Sequence, residues 1–327
     1  MPVYNSELFI KEAIDSILNQ TFTDFELIII DDASTDASVE IIQSYTDTRI
    51  QLVVKPQNSG YTKSLNYGLT IAKGEYIARM DSDDISLPTR FEKQVAFLNE
   101  NLDIVVCGTQ YNVMNSTKLS NHPTEHDAIK VKLLDGCYIA HPTVMMNRKF
   151  LLNNNLSYNV NAEPAEDYDL WSRIVFLAKV ANLNETLLLY RISNHQVSTK
   201  RMVEQLQSAL QVKLNMLKRL NPSLTATYFT SKTDDITLKI FFLNLHLSRD
   251  LLFQNSIQNV FQANDFKNWI KNENKKLIFN YYYKGVYDLN SLFVLLVKAP
   301  FFYKEIGFLR SIKIVTKIIN RKNSTNA

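Results

Sequence analysis

The sequence predicts an α/β protein, a sheet flanked by crossover helices with a helical region after it, and three observations carry that prediction. Through the first two-thirds of the chain, helical spacing alternates with short runs rich in β-branched residues, as expected when strands are joined by crossover helices. The run Phe25-Glu26-Leu27-Ile28-Ile29-Ile30 is almost continuously apolar, which suits a strand buried on both faces. Two acidic pairs, Asp31-Asp32 and Asp81 with Asp83, follow directly after strand-like runs, where open α/β sheets gather their ligands.

The elements follow in order. Leu8, Ala13, Ile14, Ile17 and Leu18 give residues 7–19 a helical face, and residues 25–30 form the first clear strand. Ser34-Thr35-Asp36 is a capping signal before a helix whose apolar face is Val39, Ile41, Ile42 and Tyr45. Ile50 to Val54 reads as a strand, Thr62 to Ile71 as a helix, Glu75 to Met80 as a strand and Arg90 to Leu98 as a helix. Val144-Met145-Met146 is strand-like, and Leu170, Trp171 and Ile174 supply the buried face of a later helix. Beyond residue 200 the β-branched runs disappear. Residues 202–220, 237–247 and 256–270 carry apolar residues at helical spacing, so a domain over 1–200 and a helical region over 201–327 are expected.

Composition narrows the function classes. An apolar fraction of 46% and a charged fraction of 21% are ordinary for a soluble globular protein. A net charge of +3 gives no basis for a nucleic-acid partner. Cys107 and Cys137 form no C-x-x-C pair, so both are expected as core residues or spectators, consistent with a reducing cytosol. No basic segment leads into an apolar run at the start, so no signal peptide is expected. The apolar stretch from Leu292 to Phe302 is broken by Lys298 and Pro300 and is shorter than the ~18 residues of a spanning helix. From Lys304 to Lys322, Ile306, Leu309, Ile312, Ile318 and Ile319 alternate with six basic residues. That pattern fits a helix lying on an anionic membrane surface, or an ordinary surface helix. The location expected is cytoplasmic, in the former case peripheral on the inner membrane.

Chemistry concentrates in Asp81-Ser82-Asp83-Asp84. Three carboxylates within four residues, after a strand, suit a hard divalent cation, Mn²⁺ or Mg²⁺, with coordination positions left for phosphates.

The motifs together resemble the family 2 inverting glycosyltransferases of GT-A fold, a mixed Rossmann-like sheet flanked by helices. Pro2-Val3-Tyr4-Asn5 resembles the opening P-x-Y-N, Asp31 to Asp36 the D-D-x-S-x-D, and Asn58-Ser59-Gly60 with Asn66-Tyr67-Gly68 the N-x-G pair. Gly74 to Asp84 is similar to the metal motif with its lead-in strand, and Glu166-Asp167-Tyr168-Asp169-Leu170-Trp171 to the segment carrying the base. The resemblance covers roughly residues 1–200 and implies transfer of a sugar from a nucleoside-diphosphate donor, most often UDP-linked.

It also implies roles. Asp83 is the metal ligand, and Asp81 shares the ion or contacts ribose or sugar hydroxyls. Asp84 joins them or caps the turn before Pro88. Tyr4 and Asp32, beside Pro2, hold the nucleobase, or Tyr4 is a core aromatic; Asp31 serves that pocket or ends its strand, and Lys63 faces the diphosphate or solvent. Asp167 is the general base, and Glu166 binds acceptor hydroxyls or raises its neighbour's pKa by like-charge proximity. Asp169 is read as an ordinary helix residue, Trp171 as core or a sugar-stacking ring, and His141 as structural or bordering the acceptor.

Two departures stand out. The apolar first strand that normally leads into the opening motif is missing, so the sheet is expected to lack it. In Tyr190-Arg191-Ile192-Ser193-Asn194-His195 a serine occupies the usual histidine position, leaving His195 as the replacement metal or diphosphate ligand and Arg191 as a phosphate contact.

A nucleotidyltransferase would want a glycine-rich phosphate loop, and an oxidoreductase a G-x-G-x-x-G; neither occurs. A nucleotide-binding subunit without turnover is the other alternative, against which the presence of both Asp83 and Asp167 counts. The acceptor implied is a glycan or lipid-linked glycan of a bacterial surface polysaccharide such as lipopolysaccharide or capsule. Residues 115–135 are expected to face it.

Overall fold

Two sheets form where the apolar runs demand burial. The structure, a computed structural model, describes residues 1–192, 201–224 and 238–284. In the first sheet β1 (Pro2–Val3), β2 (Leu27–Asp31) and β3 (Ile50–Val54) run parallel. Ile29 and Ile30 face opposite sides of β2, yet both are buried, which is why its sequence does not alternate. Helix α1 (Ile10–Leu18) crosses from β1 to β2 and buries Ile10, Ala13, Ile14 and Ile17, a stripe at helical spacing. Helix α2 (Ser38–Gln43) connects β2 to β3.

The expectation of a sheet without its first strand is corrected here. Pro2–Val3 forms that strand, and Met1 extends its ladder: the Met1 amine donates to the Ile28 carbonyl and the Ile30 N–H to the Met1 carbonyl, each at 2.9 Å. A cavity of about 800 Å³ opens beside it, lined by Leu27, Ile30, Leu65, Ile77 and Phe91 among others. None of Asp31, Asp32, Asp81, Asp83 or Asp84 lines it.

The second sheet is mixed, in the order β4 (Tyr76–Ala78), β7 (Met145–Asn147), β6 (Ile104–Val113), β8 (Lys179–Tyr190), β5 (Ile85–Ser86). Only β6 and β8 run parallel; the other pairs are antiparallel. Helices α3 (Tyr61–Ile71), α4 (Arg90–Glu100), α5 (His126–Lys132), α6 (Arg148–Asn153) and α7 (Glu166–Ile174) complete this unit. A buried polar spine ties its centre together. Arg90 Nη2 donates to the Arg79 carbonyl (2.7 Å) and Nε to Gln94 Oε1 (3.0 Å), while Gln94 Nε2 donates to the carbonyls of Cys107 (2.6 Å) and Thr143 (2.9 Å). Burial pulls the Arg90 pKa down to about 9, so these bonds are what keep the charge tolerable inside.

The chain divides into two compact units, Met1–Lys213 and Leu214–Ala327. The division falls within α8 (Met202–Leu217), past the domain limit expected at residue 200. In the second unit α9 (Leu238–Gln258) and α10 (Ala263–Lys284) are separate helices, where the apolar spacing suggested continuity through 256–270. Asn259 breaks it with φ 50°, a left-handed conformation that asparagine tolerates at helix ends. Asn255 braces the turn, bonding both the N–H and the carbonyl of Phe261. Phe261, Phe266 and Trp269 stack behind it. No described helix is long and apolar enough to cross a membrane. The apolar stretch at 292–302 and the basic pattern at 304–322 lie outside the described residues.

Gly108 on β6 faces Asn182 on β8 so closely that an added Cβ would fall on Asn182 Oδ1. Asn182 cannot yield freely, because its Nδ2 donates to the carbonyls of Pro123 (2.8 Å) and Tyr138 (3.0 Å). Gly108→Ala is expected to cost ~1–3 kcal/mol, the usual penalty of overpacking, read as a lower midpoint in chemical denaturation.

Candidate active site

The acidic motif leaves β4 in an orientation fixed by its neighbours. The Arg79 N–H donates to the Val144 carbonyl, and the chain then turns through residues 81–84 into β5. Carboxylate oxygens of Asp81, Asp83 and Asp84 come within 4.8 Å of one another. Asp84 is fully buried: its Oδ1 accepts the Arg191 N–H at 2.9 Å, and its Oδ2 has no hydrogen-bond partner among the described residues. Burial, then the charges of Asp81 and Asp83, push its pKa well above the carboxylate range. A buried, unpartnered oxygen among three hard carboxylate donors fits a divalent cation such as Mn²⁺ or Mg²⁺. Asp84 therefore joins the cluster, and the turn-capping alternative gives way to its bond with Arg191.

Two arginines frame this loop. Arg79, buried, pairs with both Asp81 oxygens, Nη1 at 2.6 Å and Nη2 at 2.5 Å. Arg191 Nε donates to the Asp83 carbonyl (2.7 Å), its Nη2 pairs with Glu12 (2.6 Å), and its guanidinium lies 4.6 Å from the Phe9 ring centre. Arg191, expected as a phosphate contact, thus fastens the end of β8 to the acidic loop. Ser193 and His195 lie outside the described residues.

A second acidic corner closes over the ends of β1 and β2. Asp32 is saturated: Oδ1 accepts from Lys55 Nζ (2.8 Å) and the Ser59 N–H (3.1 Å), and Oδ2 from the Gly60 N–H (2.8 Å). Burial works to raise its pKa, but these donors outweigh it and hold the carboxyl below its usual range. Gly60 has φ 95°, a conformation for which glycine is the natural residue. Asp31 is different. Its Oδ2 accepts the Ser34 N–H at 3.0 Å, while Oδ1 is buried with no partner among the described residues. Ala33 between this pair and Ser34 sits at φ 63°, strain of a kind that collects at functional sites. Tyr4, just past Pro2 and Val3 of β1, is 49% exposed and so is no core aromatic. Lys63 stands exposed on α3; the lysine drawn into this corner is Lys55, which the motif reading passed over.

The third group is at the start of α7. Glu166 is buried, its Oε2 accepting from the Tyr61 hydroxyl at 2.7 Å and its Oε1 lying 3.9 Å from His141 Nδ1. Burial, then the neighbouring charge of Asp167, raise its pKa to about 7. Asp167 is half-buried, its Oδ1 accepting the Tyr168 N–H (2.7 Å) and its Oδ2 3.6 Å from the Cys137 thiol. Burial raises its pKa as well. His141 bonds the Tyr158 hydroxyl (2.9 Å), and burial followed by the charge of Arg79 holds its pKa well below the usual value. It is therefore a neutral packing partner of Glu166. Trp171 is fully buried and belongs to the core, and Asp169 pairs with Arg173 at 2.9 Å. The charge of Arg79 also acts on Glu166 and Asp167, lowering both. This guanidinium links the acidic loop electrostatically to the α7 pair, and only contacts remote in sequence reveal it.

An acidic loop at strand ends, linked through Arg79 to a pair of carboxyls of raised pKa on an α/β sheet, is the arrangement of a group-transfer enzyme. The family model for glycosyl transferase family 2 matches residues 1–156. The chain is 34% identical over 224 residues to an uncharacterized glycosyltransferase of Haemophilus influenzae, covering 64% of this chain and 69% of that one. It is 37% identical over 205 residues to the O-antigen biosynthesis glycosyltransferase WbnJ of Escherichia coli, covering 59% of this chain and 78% of that protein. Solved structures share the fold: S. aureus TarS 1–349 in complex with UDP (TM-score 0.54, 21% identity, 86% of this chain and 87% of that one). The mannosyltransferase PcManGT of Pyrobaculum calidifontis, in complex with GDP-Man and Mn²⁺, does so as well (TM-score 0.52, 15% identity, 97% and 85%). The chain belongs to glycosyltransferase family 2, has the GT-A fold and is a glycosyltransferase.

Glu166 sets a pH dependence whose sign follows from its raised pKa, from 4.5 to about 7. The native state holds this proton where the unfolded chain releases it, so the stabilisation is complete below pH 4.5 and is lost as pH rises through 7. Glu166→Gln is expected to flatten that loss, worth on the order of 1–3 kcal/mol, in urea titrations run at intervals across this window. A variant as pH-sensitive as the parent would contradict the assignment.

Proposed function

We propose that the protein transfers a sugar, with inversion, from a nucleoside-diphosphate donor to a glycan or lipid-linked acceptor in the assembly of a bacterial surface polysaccharide. The observation that carries this reading is the convergence of Asp81, Asp83 and Asp84 around an unpartnered buried oxygen. A divalent cation held there by Asp83, with Asp81 and Asp84, would supply neutralisation of the charge developing on the leaving diphosphate. The reading assigns a nucleobase N–H to Asp31, which pairs with Val3 across β1 and β2, and stacking to the exposed ring of Tyr4, the next residue after Val3. That pairing suits uracil, hence UDP as the first donor to try. TarS is described in complexes with UDP and UDP-GlcNAc, whereas PcManGT holds GDP-Man with Mn²⁺. A surface-polysaccharide role is supported by the O-antigen relative, and on this reading the reaction runs on the cytoplasmic side.

Asp167 is the general base of this mechanism. Its carboxyl is more accessible than that of Glu166, and burial raises its pKa in the direction that favours proton uptake by a base. It removes the acceptor hydroxyl proton as the oxygen attacks the anomeric carbon from the side opposite the diphosphate. Glu166, tied to Tyr61 and His141, keeps the start of α7 in place and opposes premature ionisation of its neighbour.

Calorimetric titration of UDP with and without Mn²⁺ tests the division of labour. Asp83→Asn is expected to abolish metal-dependent UDP binding. Asp167→Asn is expected to bind UDP normally while losing ~10²–10⁴-fold in transfer, as for a lost general base. Equal loss of UDP binding in both variants would overturn these roles.

A further inference from the structure

Three consecutive residues at the start of α3 each grip a different acid. The Gly60 N–H donates to Asp32 Oδ2 at 2.8 Å, the Tyr61 hydroxyl to Glu166 Oε2 at 2.7 Å and the Thr62 hydroxyl to Glu163 Oε2 at 2.7 Å. One turn of chain thus holds the corner proposed for the nucleobase and, through the next two side chains, the residues that lead into α7. Gly60 also lies against Glu163: a Cβ built there would come 3.9 Å from Glu163 Oε2. Thr62 is buried, so its hydroxyl needs an acceptor inside the protein, and the Glu163 carboxylate supplies it.

The other Glu163 oxygen is held from a third direction. Arg201, the residue before α8, pairs with Glu163 Oε1 at 2.7 Å and with Glu204 at 2.6 Å, and Gln205 Nε2 donates to the Pro164 carbonyl at 3.1 Å. Residues 163–166 are therefore clamped between the first turn of α3 and the start of α8, and Asp167 is the next residue along. The Arg201 side chain is 38% exposed and that of Glu163 22%, and an ion pair so open to water adds little to stability. Its value lies in where it holds the chain.

We propose that Thr62, Glu163 and Arg201 are positioning residues for the transfer, holding Asp167 at a fixed distance from the bound nucleotide. This rests on the reading of Asp167 as base and of the corner at Asp31 and Asp32 as the nucleobase site. Inversion needs the base, the anomeric carbon and the leaving diphosphate in line, and a misplacement of about 1 Å costs on the order of 10²-fold in rate. The base stands at the start of α7, whereas the nucleoside is read at the ends of β1 and β2, so an element bonded to both sets the span between them. The first turn of α3 is such an element, and Glu163 is the point at which its grip meets that of Arg201.

UDP release from UDP-glucose, UDP-galactose, UDP-N-acetylglucosamine and UDP-N-acetylgalactosamine, with Mn²⁺ and with water as the acceptor, tests the clamp. In that reaction water gives a proton to the base and its oxygen to the anomeric carbon as the bond to the diphosphate breaks. Thr62→Val and Arg201→Met are each expected to lower kcat about tenfold or more while the donor KM and the UDP affinity stay at the parent values, and Thr62→Ser is expected to keep the parent rate. In a Glu163→Ala background neither substitution should lower kcat further, because both act through that carboxylate. Arg201→Met, at a partly exposed pair, decides the matter if the buried Thr62→Val fails to fold. Parent kcat in Arg201→Met, a rise in KM with kcat intact, or a further loss in the Glu163→Ala background would overturn the clamp. Release by the parent from none of the four donors, or undiminished release by Asp167→Asn, would instead overturn the reading beneath it.

Discussion

Like-charge repulsion among the carboxylates gathered at the end of β4 is the constraint on which the rest of the site depends. Asp81, Asp83 and Asp84 approach within 4.8 Å, and one of them is fully buried. At that spacing, in a partly dry environment, repulsion would open the loop unless opposing charge were built in. Arg79 provides part of that charge through its paired contact with Asp81, and the Arg191 N–H and guanidinium fix the other side. On the proposed reading, a divalent cation held by the three carboxylates would offset repulsion among them. The Arg90 spine beneath the Arg79 carbonyl then carries the arrangement into the sheet.

The same buried guanidinium sets the second half of the site. Arg79 lowers the pKa of both α7 carboxyls while their burial raises them. Glu166 is further restrained by Tyr61 and lies against a histidine kept neutral by its surroundings. Two adjacent acids thus sit in different surroundings: Glu166 is buried and Asp167 is half-buried. Environments that separate neighbouring titratable groups in this way are how acid and base roles are assigned in one site.

Much of this was legible in the sequence, and what was not has a physical reason. Alternation of helix and strand patterns through residue 100, and the buried strand at Leu27–Asp31, follow from apolar periodicity, which is a local property. The acidic motif and the α7 pair are contiguous in sequence, so their clustering could be read directly. Contacts between remote residues could not: Lys55 on Asp32, Tyr61 on Glu166, and Arg191 on Asp84 and Glu12 join positions that no spacing rule relates. Asp84 had two readings until burial and the Arg191 N–H decided between them. Lys63, chosen for its place near a motif, proved exposed, because helix periodicity turned it outward from α3. The strand at Pro2–Val3 escaped notice because two residues carry no periodic signal, and it is defined by the ladder it makes with β2. Asn259 broke a helical run that apolar spacing alone did not interrupt.

The claim that the acidic loop is electrostatically incomplete without a cation is tested most directly by thermal unfolding of the parent protein and Asp84→Asn, each with UDP, with and without Mn²⁺. Removing one buried carboxylate should relieve repulsion, so the variant is expected to melt higher than the parent without metal and to gain nothing when Mn²⁺ is added. The parent should gain stability with Mn²⁺ concentration, as any ligand that binds only the native state requires. A parent indifferent to Mn²⁺, or a variant that melts lower without metal and still responds to it, would contradict the account.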